Sequence, residues 1–308
     1  MRSTIERLCF EQNVSLAPYT TWNIGGPAEY FLEISRIDDL PIVYKWAKNN
    51  GKHLTVIGRG SNTLVDDMGI PGIVVSFRRH LNNVLVDHNN GVILAQAGCS
   101  LPRLAMEAQK AGIAGFEFLI GIPGTVGAGV AMNAGTGGVK GPSIIDILRS
   151  ITVFDINSGR FSVMQPSEIG AQYRHTDILA QGLWIVEASF FSGKVDEPQS
   201  IANTHNEILC KRENSQPLCR RTSGSVFRQP LGGRSAGWYI DKAGLKGFQI
   251  GGAMVSKVHA NWIENVCCAS SKDIKALITY IQDTVRNEFA IKLQREICYL
   301  PDDLLNRE

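Results

Sequence analysis

Gly121-Ile122-Pro123-Gly124-Thr125-Val126-Gly127-Ala128-Gly129-Val130-Ala131-Met132-Asn133-Ala134-Gly135-Thr136-Gly137-Gly138 is a stretch with almost no charge. Whatever it binds is held largely by main-chain N–H groups that glycine leaves unshielded, and by close approach of the backbone. A pyrophosphate suits that chemistry. Pro123-Gly124 fixes a turn, and the small residues Gly127, Ala128, Gly129 and Ala131 admit another surface to contact distance. A second stretch of this kind is Val56-Ile57-Gly58-Arg59-Gly60-Ser61-Asn62-Thr63-Leu64, where an apolar run ends in a turn. Two anion-friendly loops in one chain imply one long ligand.

Outward from these loops, hydrophobic spacing predicts alternating strands and helices. Leu40, Val43, Trp46 and Ala47 mark a helix stopped by Asn49-Asn50-Gly51, and Leu54 to Ile57 reads as the buried strand that delivers the second loop. A strand is expected from Ile73 to Phe77. Gly58-Arg59-Gly60 lacks the third glycine and the following helix of a dinucleotide fold, so a Rossmann reading is excluded. Val92 to Ala97 predicts a strand, Ser100 caps a helix beginning at Leu101-Pro102, and that helix stops at Gly112. Ile151 to Phe154 and Phe161 to Val163 form a hairpin across Asn157-Ser158-Gly159, and Trp184 to Phe190 is a further strand. Val195 to Gln199 is the linker candidate. A helix from Ser200 carries Ile201, Ile208 and Leu209 and gives way to a basic, irregular segment from Lys211 to Arg221. A long helix spans Ser271 to Phe289, and a last strand, Leu293 to Leu300, puts Gln294, Glu296 and Cys298 on one face.

Composition narrows the function classes. A chain of 308 residues is long enough for roughly two domains, and 44% hydrophobic with 19% charged residues is ordinary for a globular protein. Lys+Arg 31 against Asp+Glu 29 leaves a net charge of +2, with no global field for nucleic acid or an anionic membrane. Seven scattered cysteines, and Arg2, Glu6 and Arg7 ahead of any apolar run, point to a reducing cytoplasm without a signal peptide. No apolar run suggests a membrane span, and the six histidines lack metal-ligand spacing.

The two glycine loops, with Thr21-Trp22-Asn23-Ile24-Gly25-Gly26-Pro27-Ala28 before them, resemble the flavin-binding motifs of the UDP-N-acetylenolpyruvoylglucosamine reductase family. The resemblance continues through Tyr173-Arg174, Gly224-Ser225-Val226-Phe227-Arg228-Gln229-Pro230, Ala243-Gly244-Leu245-Lys246-Gly247 and Leu293-Gln294-Arg295-Glu296-Ile297. It spans nearly the whole chain in the family's order, and the compact spacing from Tyr173-Arg174 to Gly224-Ser225 resembles the short subtype. It implies an α+β fold: a two-lobed FAD-binding domain of the vanillyl-alcohol-oxidase/PCMH type over 1–193 (lobes about 1–80 and 81–193), and a smaller α+β substrate-binding domain over 194–308. It further implies reduction of UDP-N-acetylglucosamine enolpyruvate to UDP-N-acetylmuramate with NADPH, for peptidoglycan synthesis, by a cytoplasmic monomer.

Reducing an enolpyruvyl ether needs a group that stabilises an enolate-like charge, a proton donor and a held flavin. The resemblance assigns Arg174 and Glu296 to the charge and Ser225 to the proton. Taken alone, Arg174 reads rather as a surface ion pair, Ser225 beside Gly224 as a turn residue, and Glu296 as a partner for Arg295 or another surface cation. FAD contacts are expected from Ile57, Gly58, Arg59, Gly60, Ser61, Asn62, Gly121, Pro123, Gly124, Thr125 and Gly127. Substrate contacts are expected from Tyr173, Gln229, Lys257 and His259. The chain departs from the family pattern at Thr176 (serine is usual), Gln229, Gln294, the displaced Lys257 and Thr136-Gly137-Gly138. Two rival readings stand beside this one: a related FAD-dependent oxidase of another small substrate, and a non-enzymatic nucleotide-binding module.

Overall fold

The computed structural model describes residues 8–218 and 220–305. In chain order the strands and helices begin β1 (Glu11–Ser15), β2 (Pro27–Glu33), α1 (Leu40–Asn49), β3 (Leu54–Ile57), β4 (Thr63–Val65) and β5 (Ile70–Ser76). Then come β6 (Val84–Asp87), β7 (Val92–Gln96), α2 (Leu101–Lys110), α3 (Val126–Ala131), β8 (Leu148–Asp155), β9 (Arg160–Met164) and β10 (Leu183–Phe190). The remainder is α4 (Pro198–Ser215), α5 (Ala236–Lys242), β11 (Gln249–Ile250), β12 (Ala253–Val255), β13 (Ile263–Asn265), α6 (Ser271–Phe289), β14 (Cys298–Leu300) and α7 (Asp302–Leu305). This is an α+β chain in two compact units.

The first unit comprises residues 1–12, 30–59 and 72–211, and the second 13–29, 60–71 and 212–308. Each therefore draws on separate stretches of sequence, and the position 193/194 falls inside the first. The linker candidate Val195 to Gln199 is partly helical, because α4 begins at Pro198.

In the first unit, β3 and β5 pair in parallel, Leu54 opposite Ile73 and Val56 opposite Val75. The apolar face of α1, Leu40, Val43 and Ala47, shares a core with Leu32, Ile73 and Val75. An antiparallel sheet of order β6-β7-β10-β8-β9 builds the other core, which takes in Leu101, Leu104 and Ala108 of α2 and Val126 and Val130 of α3. Ser100 caps α2 as its sequence suggests, its Oγ accepting from Arg103 N at 3.3 Å.

Two stretches differ from the sequence reading. The glycine-rich stretch is not a continuous loop, since Val126–Ala131 is helical. Glycine disfavours a helix, but at Gly127 a Cβ would lie 2.9 Å from Ala97 Cβ, so close packing outweighs propensity there. The segment from Lys211 is also not irregular at its start, because α4 continues to Ser215.

The second unit carries the antiparallel meander β11-β12-β13 and a parallel pair β14-β4 in which Cys298 faces Thr63 and Leu300 faces Val65. Helix α6 spans the predicted residues, burying Ile274, Leu277, Ile278, Ile281 and Val285 in one core with Val255, Ile263 and Phe227. Its start is closed reciprocally, with Ser270 Oγ accepting from Asp273 N and Asp273 accepting from Ser270 N, both at 3.0 Å. Trp22, fully buried, donates its indole N–H to Ile263 O at 2.8 Å and so ties the early segment to the meander. The last strand is shorter than the alternation suggests: only Cys298–Leu300 forms a ladder, and Arg295 makes an isolated bridge to Phe227.

Candidate active site

In the first unit β3 ends at the buried Ile57, and Gly58 turns the chain past the start of α3. A Cβ on Gly58 would stand 3.0 Å from Thr125 Oγ1 and 3.1 Å from Ala128 Cβ. The two glycine loops thus meet at Gly58, where any added side chain would press on Thr125 and Ala128. Arg59 is exposed, and its N–H makes no hydrogen bond among the described residues. The glycine-rich stretch is less open than its sequence suggests. Gly124 N–H donates to Ile122 O at 2.8 Å and Gly127 N–H to Ala97 O at 2.9 Å. Neither amide is bare: the start of α3 is stitched to the chain that follows β7, and these glycines offer close approach rather than anion-binding donors.

The same stretch seats Arg174. Thr176 Oγ1 donates to Ala131 O at 2.6 Å, and Asn133 Nδ2 donates to Gln172 O at 2.8 Å. Arg174 Nη1 donates to Asn133 O at 3.2 Å, Nη2 to Gly135 O at 2.5 Å, and the guanidinium lies 5.1 Å from the centre of the Tyr173 ring. The Thr176 hydroxyl thus braces the end of α3.

In the second unit, Gly60 adopts φ 64° against Tyr19, where a Cβ would come within 2.1 Å of Tyr19 O. Its carbonyl accepts from Thr21 N at 3.2 Å and Thr21 Oγ1 at 3.3 Å. The N–H groups of Gly60, Ser61 and Asn62 make no hydrogen bond among the described residues. A run of main-chain donors on a turn that tolerates no Cβ fits an anionic diphosphate, so these residues fit the expected cofactor.

Asn62 also reaches the last expected site stretch, its Nδ2 donating to Glu296 O at 3.0 Å. Glu296 N–H donates to Val226 O at 2.8 Å, and Arg228 N–H donates to Gln294 O at 2.9 Å. Val226 and Glu296 are therefore opposite each other across a short antiparallel pairing, with Ser225 the residue before Val226. On its other flank, Val226 N–H donates to Asn261 O at 2.9 Å, while the Asn261 side chain bonds both Phe227 N and Phe227 O. Ser225 is half-buried after Gly224 at φ 74°, and its hydroxyl makes no hydrogen bond among the described residues. Ser223 differs: it is buried and its Oγ is engaged with Thr21 Oγ1 at 3.2 Å.

Of the expected substrate contacts in this unit, Gln229 is half-buried after the pairing with Gln294. Lys257 is exposed and its stem runs over Gly247, where a Cβ would meet Cε at 3.2 Å. His259 Nδ1 accepts from Asn261 N at 3.2 Å, and burial, with the Lys246 charge second, holds its imidazole below the usual histidine range. Asn133 and Asn261 are the two residues that the reading of motifs passed over. Asn261 bonds a partner 34 residues away, and Asn133, at φ 43°, one 39 residues away, so nothing local marks either.

Comparison with known proteins adds independent support. Residues 216–300 match the C-terminal domain of UDP-N-acetylenolpyruvoylglucosamine reductase, and residues 28–164 match an FAD binding domain. UDP-N-acetylenolpyruvoylglucosamine reductase from Synechococcus sp. (strain RCC307) is 39% identical, over 95% of this chain and 94% of its own. That from Prochlorococcus marinus (strain NATL2A) is 38% identical over 93% and 96%. The chain belongs to the UDP-N-acetylenolpyruvoylglucosamine reductase family. The crystal structure of the Thermus caldophilus UDP-N-acetylenolpyruvylglucosamine reductase agrees, with a TM-score of 0.78 and 32% identity over 96% of this chain and 100% of that one. As a member of a reductase family the chain is an oxidoreductase, and its α+β fold is the one its motifs imply. In this UDP-N-acetylenolpyruvoylglucosamine reductase family member, the residues that pair Val226 with Glu296, next to Ser225, all lie within the matched C-terminal domain.

Proposed function

We propose that the protein reduces UDP-N-acetylglucosamine enolpyruvate to UDP-N-acetylmuramate, with bound FAD and with NADPH as hydride donor. The observation that carries the reading is the pairing of Glu296 N–H with Val226 O at 2.8 Å, which sets a carboxylate-bearing residue beside the segment of an unengaged hydroxyl, Ser225. FAD held at Gly58, Arg59, Gly60, Ser61 and Asn62, and approached by Gly121, Pro123, Gly124, Thr125 and Gly127, would supply the hydride taken from NADPH. The hydride would add to the methylene carbon, with the π bond of the carbon–carbon double bond giving its electron pair to the adjoining carbon and its carboxylate.

Each protein group has one task in that sequence. Arg174 binds the carboxylate and stabilises the charge that builds on it, since a guanidinium stays ionised and pairs with carboxylates in two-point fashion. Ser225 donates the proton that completes the adjoining carbon, and Glu296 places charge and proton beside it. Tyr173, Gln229, Lys257 and His259 contact the nucleotide sugar. In this reading residues 1–193 serve the cofactor and 194–308 the substrate, and the protein works as a monomer in the cytoplasm. The cysteines among the described residues are free. Among the described residues no helix is long and apolar enough to cross a membrane.

The test is NADPH oxidation with and without UDP-N-acetylglucosamine enolpyruvate, in wild type and Ser225→Ala. Substrate-dependent turnover is expected in wild type, and Ser225→Ala is expected to reduce the flavin normally while losing the second half-reaction. Normal second-half rates in that variant would remove Ser225 as proton donor. Oxidation of a sugar by air without NADPH consumption would replace the reductase with an oxidase.

A further inference from the structure

Two residues other than glycine sit in left-handed backbone within one hydrogen bond of each other, Asn133 at φ 43° and Arg174 at φ 55°. Asparagine tolerates that region and arginine rarely enters it, so the surrounding structure must hold Arg174 there. The holding is done by the end of the glycine-rich stretch. Gln172 and His175 close a tight turn by exchanging main-chain hydrogen bonds at 2.9 and 3.2 Å. Asn133 grips this turn at both levels, its Nδ2 on the carbonyl of Gln172 and its own carbonyl under Arg174 Nη1.

The choice of residue is specific. Asn133 is 93% buried by its 7% exposure, and its Oδ1 is sealed from solvent without a hydrogen-bond partner. A buried acceptor left unpaired is unfavourable, so the amide is not there for its oxygen. What it supplies is the Nδ2 donor and tolerance of a positive φ, and few side chains combine the two. Main-chain carbonyls at Asn133 and Gly135 then fix two guanidinium nitrogens without adding a negative charge that would neutralise the group.

We propose that Asn133 is the positioning residue of Arg174, setting the guanidinium that grips the substrate carboxylate. This rests on the role given to Arg174 above. Asn133→Gly keeps the left-handed backbone and the carbonyl and removes only the amide clamp. It is expected to weaken UDP-N-acetylmuramate binding, titrated by flavin absorbance, and to slow the second half-reaction about tenfold or more, while NADPH reduction of the flavin stays at the wild-type rate. Asn133→Asp, which keeps volume and backbone tolerance but turns an acceptor toward the Gln172 carbonyl, is expected to show the same pattern, and it carries the test should the glycine variant fold poorly. In an Arg174→Ala background, Asn133→Gly is expected to add nothing further.

A wild-type second half-reaction in Asn133→Gly, beside a crippled Arg174→Ala, overturns this inference alone. So does a double variant whose losses multiply, or a parallel fall in flavin reduction. An Arg174→Ala enzyme with wild-type second-half rates overturns the underlying reading of Arg174 and this inference with it.

Discussion

Asn261 and Phe227 hold each other through both ends of one amide: Phe227 N–H donates to Asn261 Oδ1 at 3.0 Å, and Asn261 Nδ2 donates to Phe227 O at 2.9 Å. Both residues are buried, so neither main-chain group of Phe227 can turn to water instead. Asn261→Leu, close in size, strands both. Each unpaired group costs about 1–3 kcal/mol, and a loss of roughly 2–5 kcal/mol in urea unfolding is expected. Because the same clamp flanks the segment of Ser225, the substrate half-reaction should fall more than flavin reduction does. An unchanged urea midpoint would show that the clamp contributes nothing.

Gly58 and Gly60 are two residues apart, yet their substitution by alanine should differ in severity. At Gly58 the new methyl would be 3.0 Å from the Thr125 hydroxyl, a side-chain atom that can give way slightly. At Gly60 it would lie 2.1 Å from the Tyr19 carbonyl oxygen, on backbone that also holds φ 64°. Left-handed backbone alone costs an alanine about 1–2 kcal/mol, before any main-chain displacement. Gly60→Ala is therefore expected to purify with little or no flavin, measured as the visible-to-protein absorbance ratio, while Gly58→Ala keeps most of it. Equal flavin content in the two would contradict a cradle closed by Gly60.

Long periodic segments were legible in advance, and α6 is the clearest, because five buried side chains recur at helical spacing behind a capping serine. The hairpin of β8 and β9 was equally plain, its turn residues lying between two apolar runs. Short elements were not legible. The meander β11-β12-β13 has strands of two or three residues, too short for an alternating pattern to stand out. Helix α5, opened by Ser235 accepting from Trp238 N, was passed over among motif residues. At the site, residue types were readable but hydrogen-bond destinations were not. Gly127 looked like a bare amide until Ala97 O proved to accept from it, and Glu296 looked like part of a regular strand although only Arg295 bridges there.

Arg295 lies next to Glu296 in sequence and is anchored at the end of the chain. Its guanidinium makes a two-point pair with Asp303, at 2.8 and 2.7 Å, and stacks 3.7 Å from the centre of the Tyr299 ring. Burial pushes the Asp303 carboxyl up, but the hydrogen bonds from Arg295 and Tyr299 N–H outweigh it and hold the group below its ordinary 3.8. An acid with a lowered folded value contributes stability above its unfolded value, and that contribution is lost as pH falls through the folded one. Asp303→Asn is expected to cost about 1–3 kcal/mol at neutral pH, with the difference from wild type shrinking in acid below about pH 4. A gap independent of pH would mean that packing of the segment, not the ion pair, is responsible.

His205 supplies the opposite kind of titrating group, a base kept neutral. It is 4% exposed on α4, and Nδ1 lies 2.9 Å from Gln109 Oε1 of α2, an acceptor, so Nδ1 carries the proton and donates it. Nε2 is buried without a partner, and protonating it would place a charged N–H where nothing accepts it. Burial accordingly lowers the imidazole from its ordinary 6.5, with the Glu117 charge opposing but not cancelling the effect. The unfolded chain therefore takes up the proton first, so stability is fully present above the unfolded value and drains away as pH falls from there through the folded one. Urea midpoints measured from about pH 8 down to about pH 5 should decline through this window in wild type and decline less in His205→Gln, which has no imidazole to titrate. Parallel curves for the two proteins would assign the decline to other groups and leave His205 as a plain packing residue between α2 and α4.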